Sequence, residues 1–224
     1  MKLMCRIEPI VNLNTGVEIG GEILCTTEYL SPELFFNSLS IIDFSGVLKQ
    51  QIQSQKISIK NSNYIIFINV NLDLLLNLTL LESVISLTTT PKILEVDCEV
   101  IINHATQILR HIDDIRVILR NHNASIWIDD LYFRHIPRLI QIREVFDGIK
   151  IDKNEFWRIY TKSDTNEMNT LINRIRNFTD NILIEGVENT SQLKFIIDSN
   201  VDFAQGFYWP FDSSESFFIN TLVK

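Results

Sequence analysis

The sequence is poor in several residues that mark large classes of protein. It has three cysteines, seven glycines and five prolines in 224 residues. Cys5, Cys25 and Cys98 are odd in number and show no CxxC spacing, which predicts reduced cytosolic thiols rather than a disulfide framework or a zinc site. The few glycines predict short turns, and no linker rich in proline, glycine or serine divides the chain. We therefore predict one domain over residues 1–224.

The sequence also has few positively charged residues relative to acidic ones, and it has no long apolar run. The formal net charge is -8, which argues against direct nucleic-acid binding because that needs a basic surface. No apolar stretch approaches the ~18 residues needed to span a bilayer, and the first residues contain no signal-peptide core. The 46% hydrophobic content is enough for a sizeable core. We expect a cytoplasmic protein with no membrane partner.

The chain does contain a series of short apolar runs, most of which end in an acidic or amide residue. Successive endpoints lie about 20 to about 35 residues apart, roughly the length of one strand plus one helix. In a barrel of such units the carboxyl ends of all strands open onto one face. These oxygen-bearing side chains would then share a site suited to a hard cation. The endpoints are Asn71, Glu95, the pair Asp129 and Asp130, Asp152, and Glu185.

The remaining pattern alternates between strands and helices. Two strands at 4–11 and 17–24 flank a turn at Asn14-Thr15-Gly16, which is typical of a hairpin. Helical periodicity predicts helices at residues 33–39, 42–57, 72–87, 104–121, 153–160, 166–178 and 191–199. The alternation predicts an α/β protein, either a barrel or a doubly wound sheet.

Seven short motifs follow one another along the chain. They are Gly21-Glu22-Ile23-Leu24, Asn71-Leu72-Asp73, Glu95-Val96-Asp97-Cys98, Asp129-Asp130-Leu131-Tyr132, Lys150-Ile151-Asp152, Glu185-Gly186-Val187-Glu188-Asn189 and Ala204-Gln205-Gly206-Phe207. In this order they resemble the motifs of the EAL-domain family, the cyclic-di-GMP phosphodiesterases and their inactive relatives. The opening Pro9-Ile10-Val11 with Thr15-Gly16, followed by the first motif, is similar to the family's signature segment. The resemblance covers nearly the whole chain and implies an EAL-type (β/α)8 TIM-like barrel with one antiparallel strand.

The resemblance also implies a role for each matching residue. An active member would use Mg²⁺ or Mn²⁺, which prefer carboxylate, amide and water oxygens. One metal would be held by Glu22, Asn71, Glu95 and Asp129. The second would be held or approached by Asp129, Asp130 and Glu185, with Asp152 beside it. The remaining roles fall to Lys150, which would orient water or offset charge, to Glu188, which would brace a loop, and to Gln205, which would contact substrate.

Each of these residues, taken alone, also has a simpler interpretation. An acidic residue after a strand usually caps a helix or lies in a solvated loop, and this applies to Glu22 and Asp152. Asn71 could cap the leucine-rich helix that follows it. Lys150 could be a surface lysine whose stem alone is buried. The joint occurrence of the motifs is what favours a site.

Three departures from the family pattern bear on activity. Thr26 stands where the family has an arginine that binds the substrate phosphate. Cys98 replaces a glutamate that steadies the loop over the metals, and Glu99 would point to the opposite strand face. The loop that begins at Leu131 lacks two glycines that allow positive φ.

Two functions therefore remain open: the retained carboxylates argue for an enzyme, whereas the altered loop and its lost glutamate argue against activity and favour the first. In the first, the chain is a degenerate regulator with no cofactor that binds another protein, by family analogy a flagellar transcription activator, and represses motility. Helices 166–178 and 191–199 are the candidate contact surface. In the second, it is an active cyclic-di-GMP phosphodiesterase. Because Thr26 weakens the phosphate contact, a receptor that binds cyclic-di-GMP without cleaving it is the least favoured.

Overall fold

In the computed structural model, which describes residues 2–27, 31–54, 63–212 and 216–220, eight strands close into a barrel. A ninth strand is hydrogen-bonded outside it. The strands are β1 (Lys2–Asn12), β2 (Glu18–Thr26), β3 (Ile65–Asn69), β4 (Lys92–Asp97), β5 (Ala124–Leu131), β6 (Gly148–Ile151), β7 (Ile182–Ile184), β8 (Phe203–Gln205) and β9 (Phe217–Asn220). The barrel order is sequential from β2 to β8, and β1 closes it by pairing with both β2 and β8. This confirms the predicted eight-stranded barrel.

Strand direction in the barrel changes at β1. Neighbours from β2 to β8 are parallel, whereas β1 is antiparallel to β2, β8 and the outer β9. The predicted opening hairpin is present. Its turn is held by the Asn12 side chain, which accepts hydrogen bonds from the backbone N–H groups of Asn14 and Thr15.

Helices follow most strands, as the periodicity predicts, with differences in their bounds. They are α1 (Pro32–Ser38), α2 (Ile41–Gln53), α3 (Leu72–Leu76), α4 (Leu78–Ile85), α5 (Cys98–Asn103), α6 (Ala105–Asn121), α7 (Ile136–Leu139), α8 (Lys153–Thr161), α9 (Thr165–Ile175) and α10 (Thr190–Ile197). Residues 55–57 of the predicted helix 42–57 lie outside the described residues. No helix in the described part of the chain is long and apolar enough to cross a bilayer.

Two helix predictions need correction. The predicted helix 72–87 is divided at Asn77, whose side chain accepts a hydrogen bond from Leu80 N and so caps α4. The sequence pattern does not predict α7, nor does it predict the short helix α5. Its N-cap is Asp97, which accepts from Val100 N at 2.8 Å, so the chain turns into a helix immediately after β4. The strand-face argument against Glu99 therefore does not apply, because Cys98 and Glu99 are helical.

The barrel interior is filled by a small apolar cluster that is separate from the main core between strands and helices. Ile10, Phe67, Ile93, Trp127 and Leu183 form it, and the Phe67 and Trp127 rings meet edge to face with centroids 5.4 Å apart. Gly148 on β6 makes room for the indole, since a Cβ there would lie 2.2 Å from the Trp127 ring. The interior is thus a packed core rather than a pore.

The prediction of three reduced cysteines is wrong for two of them. Cys5 on β1 and Cys25 on β2 are directly opposite in the antiparallel register, with Cα atoms 4.0 Å apart, and they form a disulfide. Cys98 is a buried free thiol. Neither cysteine number nor spacing could reveal this pair, because residues 20 apart in sequence become neighbours only through the hairpin register.

Candidate metal and substrate site

Polar side chains from seven consecutive strands converge at one end of the barrel. Most come from the carboxyl-terminal part of a strand or just after it, which is where parallel barrel strands open onto a common face, and Glu22 comes from the middle of β2. The contributors are Glu22 of β2, Asn69 of β3, Glu95 of β4, Asp129 and Asp130 of β5, Lys150 of β6, Glu185 after β7 and Gln205 of β8. The sequence predicts all of them except Asn69.

Lys150 lies at the centre of this convergence. Its side chain is fully buried, and Nζ contacts carboxylate oxygens from β2, β4, β5 and the residue that follows β7. The distances from Nζ are 3.1 Å to Glu22, 2.8 Å to Glu95, 3.2 Å to Asp129 and 2.6 Å to Glu185. The interpretation of Lys150 as a surface lysine is therefore excluded, and its ammonium group offsets part of the negative charge that the barrel brings together.

Glu22 is oriented by three donors. Asn69 Nδ2 donates to its Oε1 at 2.7 Å, while Gln205 Nε2 and Lys150 Nζ donate to its Oε2 at 2.9 and 3.1 Å. Burial opposes ionisation of Glu22, but the ammonium group and these hydrogen bonds outweigh it and lower its pKa. Glu22 is thus held as a charged carboxylate in a fixed direction.

The other carboxyl groups have raised pKa values. Burial raises the pKa of Glu95 well above its usual range, and the nearby Glu22 carboxylate adds to the rise. Burial raises the pKa of Glu185 to about 8, although Lys150 opposes the shift. The pKa of Asp130 rises to about 7 through burial and the neighbouring Asp129 carboxylate. These side chains alone cannot all be ionised at neutral pH, so a cation bound among them would displace protons.

Two overlapping groups of three carboxyl side chains could each hold a metal ion. The first contains Glu22, Glu95 and Asp129, and the second contains Asp129, Asp130 and Glu185. In each group the ligand oxygens all lie within 4.8 Å of one another, and Asp129 belongs to both. Such a pair of oxygen sites joined by one carboxylate suits two hard cations such as Mg²⁺ or Mn²⁺.

Orphaned polar atoms support this fit. Glu95 Oε2 and Gln205 Oε1 are buried and have no hydrogen-bond partner among the described residues. A buried acceptor without a partner costs free energy, and a metal or a ligand donor would remove that cost. The residues present therefore fit a divalent cation.

The structure corrects the assignment of Asn71. Its side chain accepts a hydrogen bond from Leu74 N at 2.9 Å and caps α3, as its simpler interpretation proposed. Asn69, two residues earlier, is the amide that reaches Glu22. A signal was present in the sequence, since Asn71 stands at the start of the leucine-rich helix and the apolar strand ends at Asn69.

Asp152 and Glu188 lie at the margin of the site. Asp152 caps α8 by accepting from Asn154 N and Glu155 N at 2.7 and 3.2 Å, and its side chain also hydrogen-bonds Asp130. It belongs to neither metal group but adjoins one of their members. The Glu188 side chain is exposed on the wall of the cavity above the carboxylates.

That cavity has a volume of about 430 Å³ and opens directly above Glu22, Asp129 and Glu185. Its wall combines charged side chains with two aromatic rings, Trp157 and Phe207. Phe207 is 66% exposed at the rim, so its ring is available to a planar ligand group. The cavity is large enough for a small organic ligand to reach the candidate metal groups.

Glu99 anchors the loop after Asp130, contrary to the prediction from strand alternation. Glu99 Oε1 lies 3.1 Å from Arg134 Nη2 and 3.3 Å from His135 Nε2. The neighbouring Cys98 is buried in the core. Since α5 begins at Cys98, the Glu99 side chain faces the loop and supplies a carboxylate contact to it.

The comparisons with known proteins agree with this geometry. The family model described as the EAL domain matches residues 2–210. No curated protein matches the sequence at a significant level. Among solved structures, the chain resembles the PaMucR phosphodiesterase in complex with c-di-GMP, with 19% identity, a TM-score of 0.76, and coverage of 95% of this chain and 93% of that one.

Two further structures show the same fold. The FimX EAL domain from Pseudomonas aeruginosa bound to c-di-GMP is 14% identical with a TM-score of 0.71, and the match covers 92% of this chain and 88% of that one. The EAL enzyme Bd1971 in its cAMP and cyclic-di-GMP bound form is 17% identical with a TM-score of 0.66, covering 92% of this chain and 61% of Bd1971. At these identities the likeness establishes the fold.

Proposed function

Because the chain belongs to the EAL domain family, we propose that it is a metal-dependent phosphodiesterase that hydrolyses cyclic-di-GMP. The observation that carries the proposal is the pair of carboxylate groups joined by Asp129 beneath an open cavity. The substrate comes from the relatives, since PaMucR is a phosphodiesterase in a c-di-GMP complex.

The residues of this chain have separate roles in such a reaction. Bound divalent cations would supply an activated water and neutralise charge on the phosphoryl oxygens. Glu22, Glu95, Asp129, Asp130 and Glu185 would hold the cations. Asn69 and Gln205 fix the direction of the Glu22 carboxylate through hydrogen bonds of 2.7 and 2.9 Å. Lys150 limits repulsion among four carboxyl groups. Glu99 holds the loop that follows Asp130.

A turnover assay with purified protein tests the proposal. We expect cyclic-di-GMP to be converted to a linear dinucleotide with Mg²⁺ or Mn²⁺ and to remain intact with EDTA, as followed by chromatography. Asp129→Asn should lower the rate on the order of a hundredfold or more, because it weakens both oxygen groups. Asp113→Asn, at an exposed position of α6, makes the same chemical change away from the site and should keep full activity. No turnover by folded wild-type protein would contradict the proposal.

A second candidate is the degenerate regulator that represses motility by binding a flagellar transcription activator. The loop after Asp130 favours it, since Asp130 has a φ of +54° and is followed by bulky residues where the family has glycines. Of the two helices proposed for the contact, α9 packs Met168, Leu171, Ile172 and Ile175 into the core, whereas Ile197 of α10 is 56% exposed. The exposed side of α10 is the better candidate.

A genetic experiment separates the two functions. Deletion of the gene should raise flagellin expression and swimming if the regulator hypothesis is right. An Asp129→Asn version would restore repression as well as the wild type in that case. If the folded Asp129→Asn protein fails to complement while Asp113→Asn succeeds, the phosphodiesterase carries the phenotype.

A further inference from the structure

The cavity above the carboxylates presents an electrostatic problem for an anionic ligand. Among the described residues that line it, six carry carboxyl groups, namely Glu8, Glu22, Asp129, Asp130, Glu185 and Glu188. The described lining holds two cationic side chains, Arg6 and Lys153. A phosphodiester that enters this cavity would be repelled unless a cation offsets the charge of the wall.

Arg6 is positioned by the register of the β1–β2 hairpin. It lies opposite Leu24, and Glu8 lies opposite Glu22. Because side chains alternate between the two faces of a strand, Arg6 and Glu8 project on the same face as Glu22. This is also the face of Thr26, which lies opposite Met4. The hairpin thus places a guanidinium group beside the candidate metal site from the neighbouring strand.

A chain of hydrogen bonds connects Arg6 to the site. Its Nε and Nη2 donate to Glu8 Oε1 at 3.0 and 2.6 Å. Glu8 Oε2 accepts from Gln205 Nε2 at 3.4 Å, and the same nitrogen donates to Glu22 Oε2 at 2.9 Å. The Arg6 side chain is 27% exposed, so it is neither fully screened by water nor closed to a ligand.

Lys153 is the weaker candidate for an anion contact. It is an exposed residue at the start of α8, where a flexible ammonium group is strongly hydrated. A guanidinium group instead presents paired N–H donors in a planar fork that matches two oxygens of one phosphate. Arg6 is also partly buried, and this strengthens its interaction with an anion.

We propose that Arg6 is a substrate-binding residue that contacts a phosphate group of the ligand, exchanging its bond to Glu8 Oε1 for bonds to phosphate oxygens. The proposal rests on the proposed function, in which a cyclic dinucleotide occupies the cavity. Arg6 then supplies, from β1, the cationic contact that β2 lacks at Thr26. Since the contact forms when substrate binds, its loss raises KM more than it lowers kcat.

Kinetics of four proteins test this inference. KM and kcat for cyclic-di-GMP are measured with MnCl2 for wild type, Arg6→Gln, Arg6→Lys and Arg110→Gln. We expect Arg6→Gln to raise KM by about 10- to 100-fold with kcat little changed, since charge-assisted hydrogen bonds are lost. Arg6→Lys keeps the charge but not the fork and should fall between Arg6→Gln and wild type. Arg110→Gln removes a charge from the exposed side of α6 and should match wild type.

The Glu8→Gln variant should change KM in the direction opposite to Arg6→Gln. It leaves Arg6 without its carboxylate partner, so KM should fall, whereas the Arg6→Gln/Glu8→Gln double variant should remain weak. If the folded wild type does not turn over, Kd for cyclic-di-GMP replaces KM in the same series.

The outcomes separate the two proposals. If the wild type binds cyclic-di-GMP and the KM or Kd of Arg6→Gln lies within twofold of the wild-type value, the role of Arg6 is overturned. That result leaves the proposed function intact. A wild type that neither binds nor hydrolyses cyclic-di-GMP overturns both.

Discussion

Asn69 and Asn71 carry the same side chain and lie two positions apart, but they have different roles. Asn69 orients Glu22, whereas Asn71 caps α3. We expect Asn69→Ala to weaken Mn²⁺ affinity by about 10- to 100-fold, as loss of a supporting group does in metal sites. Asn71→Ala should leave that affinity unchanged but lower the free energy of unfolding by about 1 kcal/mol, the cost of a lost helix cap.

Calorimetric titration with MnCl2 and urea denaturation of the two variants check this prediction. The two proteins are each other's control, because they carry the same substitution on the same short segment. Equal loss of metal affinity in both would show that Asn71, too, belongs to the site.

Glu99 offers a second comparison between single side chains. Its pairs with Arg134 and His135 bridge α5 and the loop after Asp130, but Glu99 and Arg134 are both more than half exposed. Exposed ion pairs contribute little stability. A shift of about 1 Å at a reacting group can nevertheless cost about 10²-fold in rate. We therefore expect Glu99→Gln to lower kcat by about tenfold with the unfolding temperature nearly unchanged.

Glu144→Gln is the matched control for Glu99→Gln, since Glu144 is an exposed glutamate away from the cavity. Hydrolysis rates with MnCl2 and thermal unfolding of both variants are the measurements. Wild-type kcat in Glu99→Gln would mean that the loop keeps its position without this contact.

At the scale of the element, the β1–β2 hairpin is tied by a covalent bond as well as by its hydrogen bonds. The Cys5–Cys25 disulfide closes a segment with a sequence separation of 20 and restricts the unfolded chain. We expect reduction, or the Cys5→Ser/Cys25→Ser double variant, to lower the free energy of unfolding by about 2–4 kcal/mol. Urea denaturation with and without dithiothreitol measures the effect.

The double variant supplies the control for the reductant. Its unfolding free energy should not respond to dithiothreitol, because Cys98 is the remaining cysteine and is already a free thiol. A wild type whose stability is the same in both redox states would show that the disulfide adds nothing to the hairpin.

The elements also show how far sequence reasoning reaches. The barrel could be predicted because buried strands are continuous apolar runs and their polar ends mark the open face. Helix starts that depend on a single capping side chain could not be predicted in the same way. Asn77 divides one predicted helix by capping its second half, and Asp97 starts a helix where the strand seemed to continue. Such side chain–backbone hydrogen bonds depend on one residue and leave no periodic signal.

Some residues of the site could likewise be predicted from the sequence and others could not. Carboxylates at strand ends could be predicted because the fold brings every strand end to one face. Asn69, Arg6 and the disulfide could not, since their partners are fixed by the register between strands. One residue of slip in that register would turn each of these side chains to the other face.

At the scale of the whole molecule, metal binding should stabilise the barrel. The candidate ligands come from strands spread around the barrel, so a bound cation links elements that are distant in sequence. A ligand that binds only the folded state at 100 times its Kd adds about 2.7 kcal/mol. We expect excess MnCl2 to raise the unfolding temperature by roughly 5–10 °C over EDTA-treated protein.

Thermal unfolding of three proteins checks this expectation. Asp129→Asn should lose most of the MnCl2 response, whereas Asp113→Asn should keep it. An unfolding temperature that is the same with MnCl2 and EDTA in the wild type would indicate that the carboxylate groups hold no metal.

The pairing of β9 with β1 has a consequence for how the chain can be rearranged. Lys2 lies opposite Asn220 in this pair, so the two ends of the described chain meet. A short glycine-serine linker could join them, with a new start opened between Lys162 and Ser163, which are exposed between α8 and α9. Lys153, at the start of α8, lies on the cavity wall. Because α8 has nine residues, the new start would lie roughly 13 Å along the helix axis from Lys153. The circularly permuted protein should keep the thermal response to MnCl2, because the barrel is a closed ring whose strand order does not depend on where the chain starts.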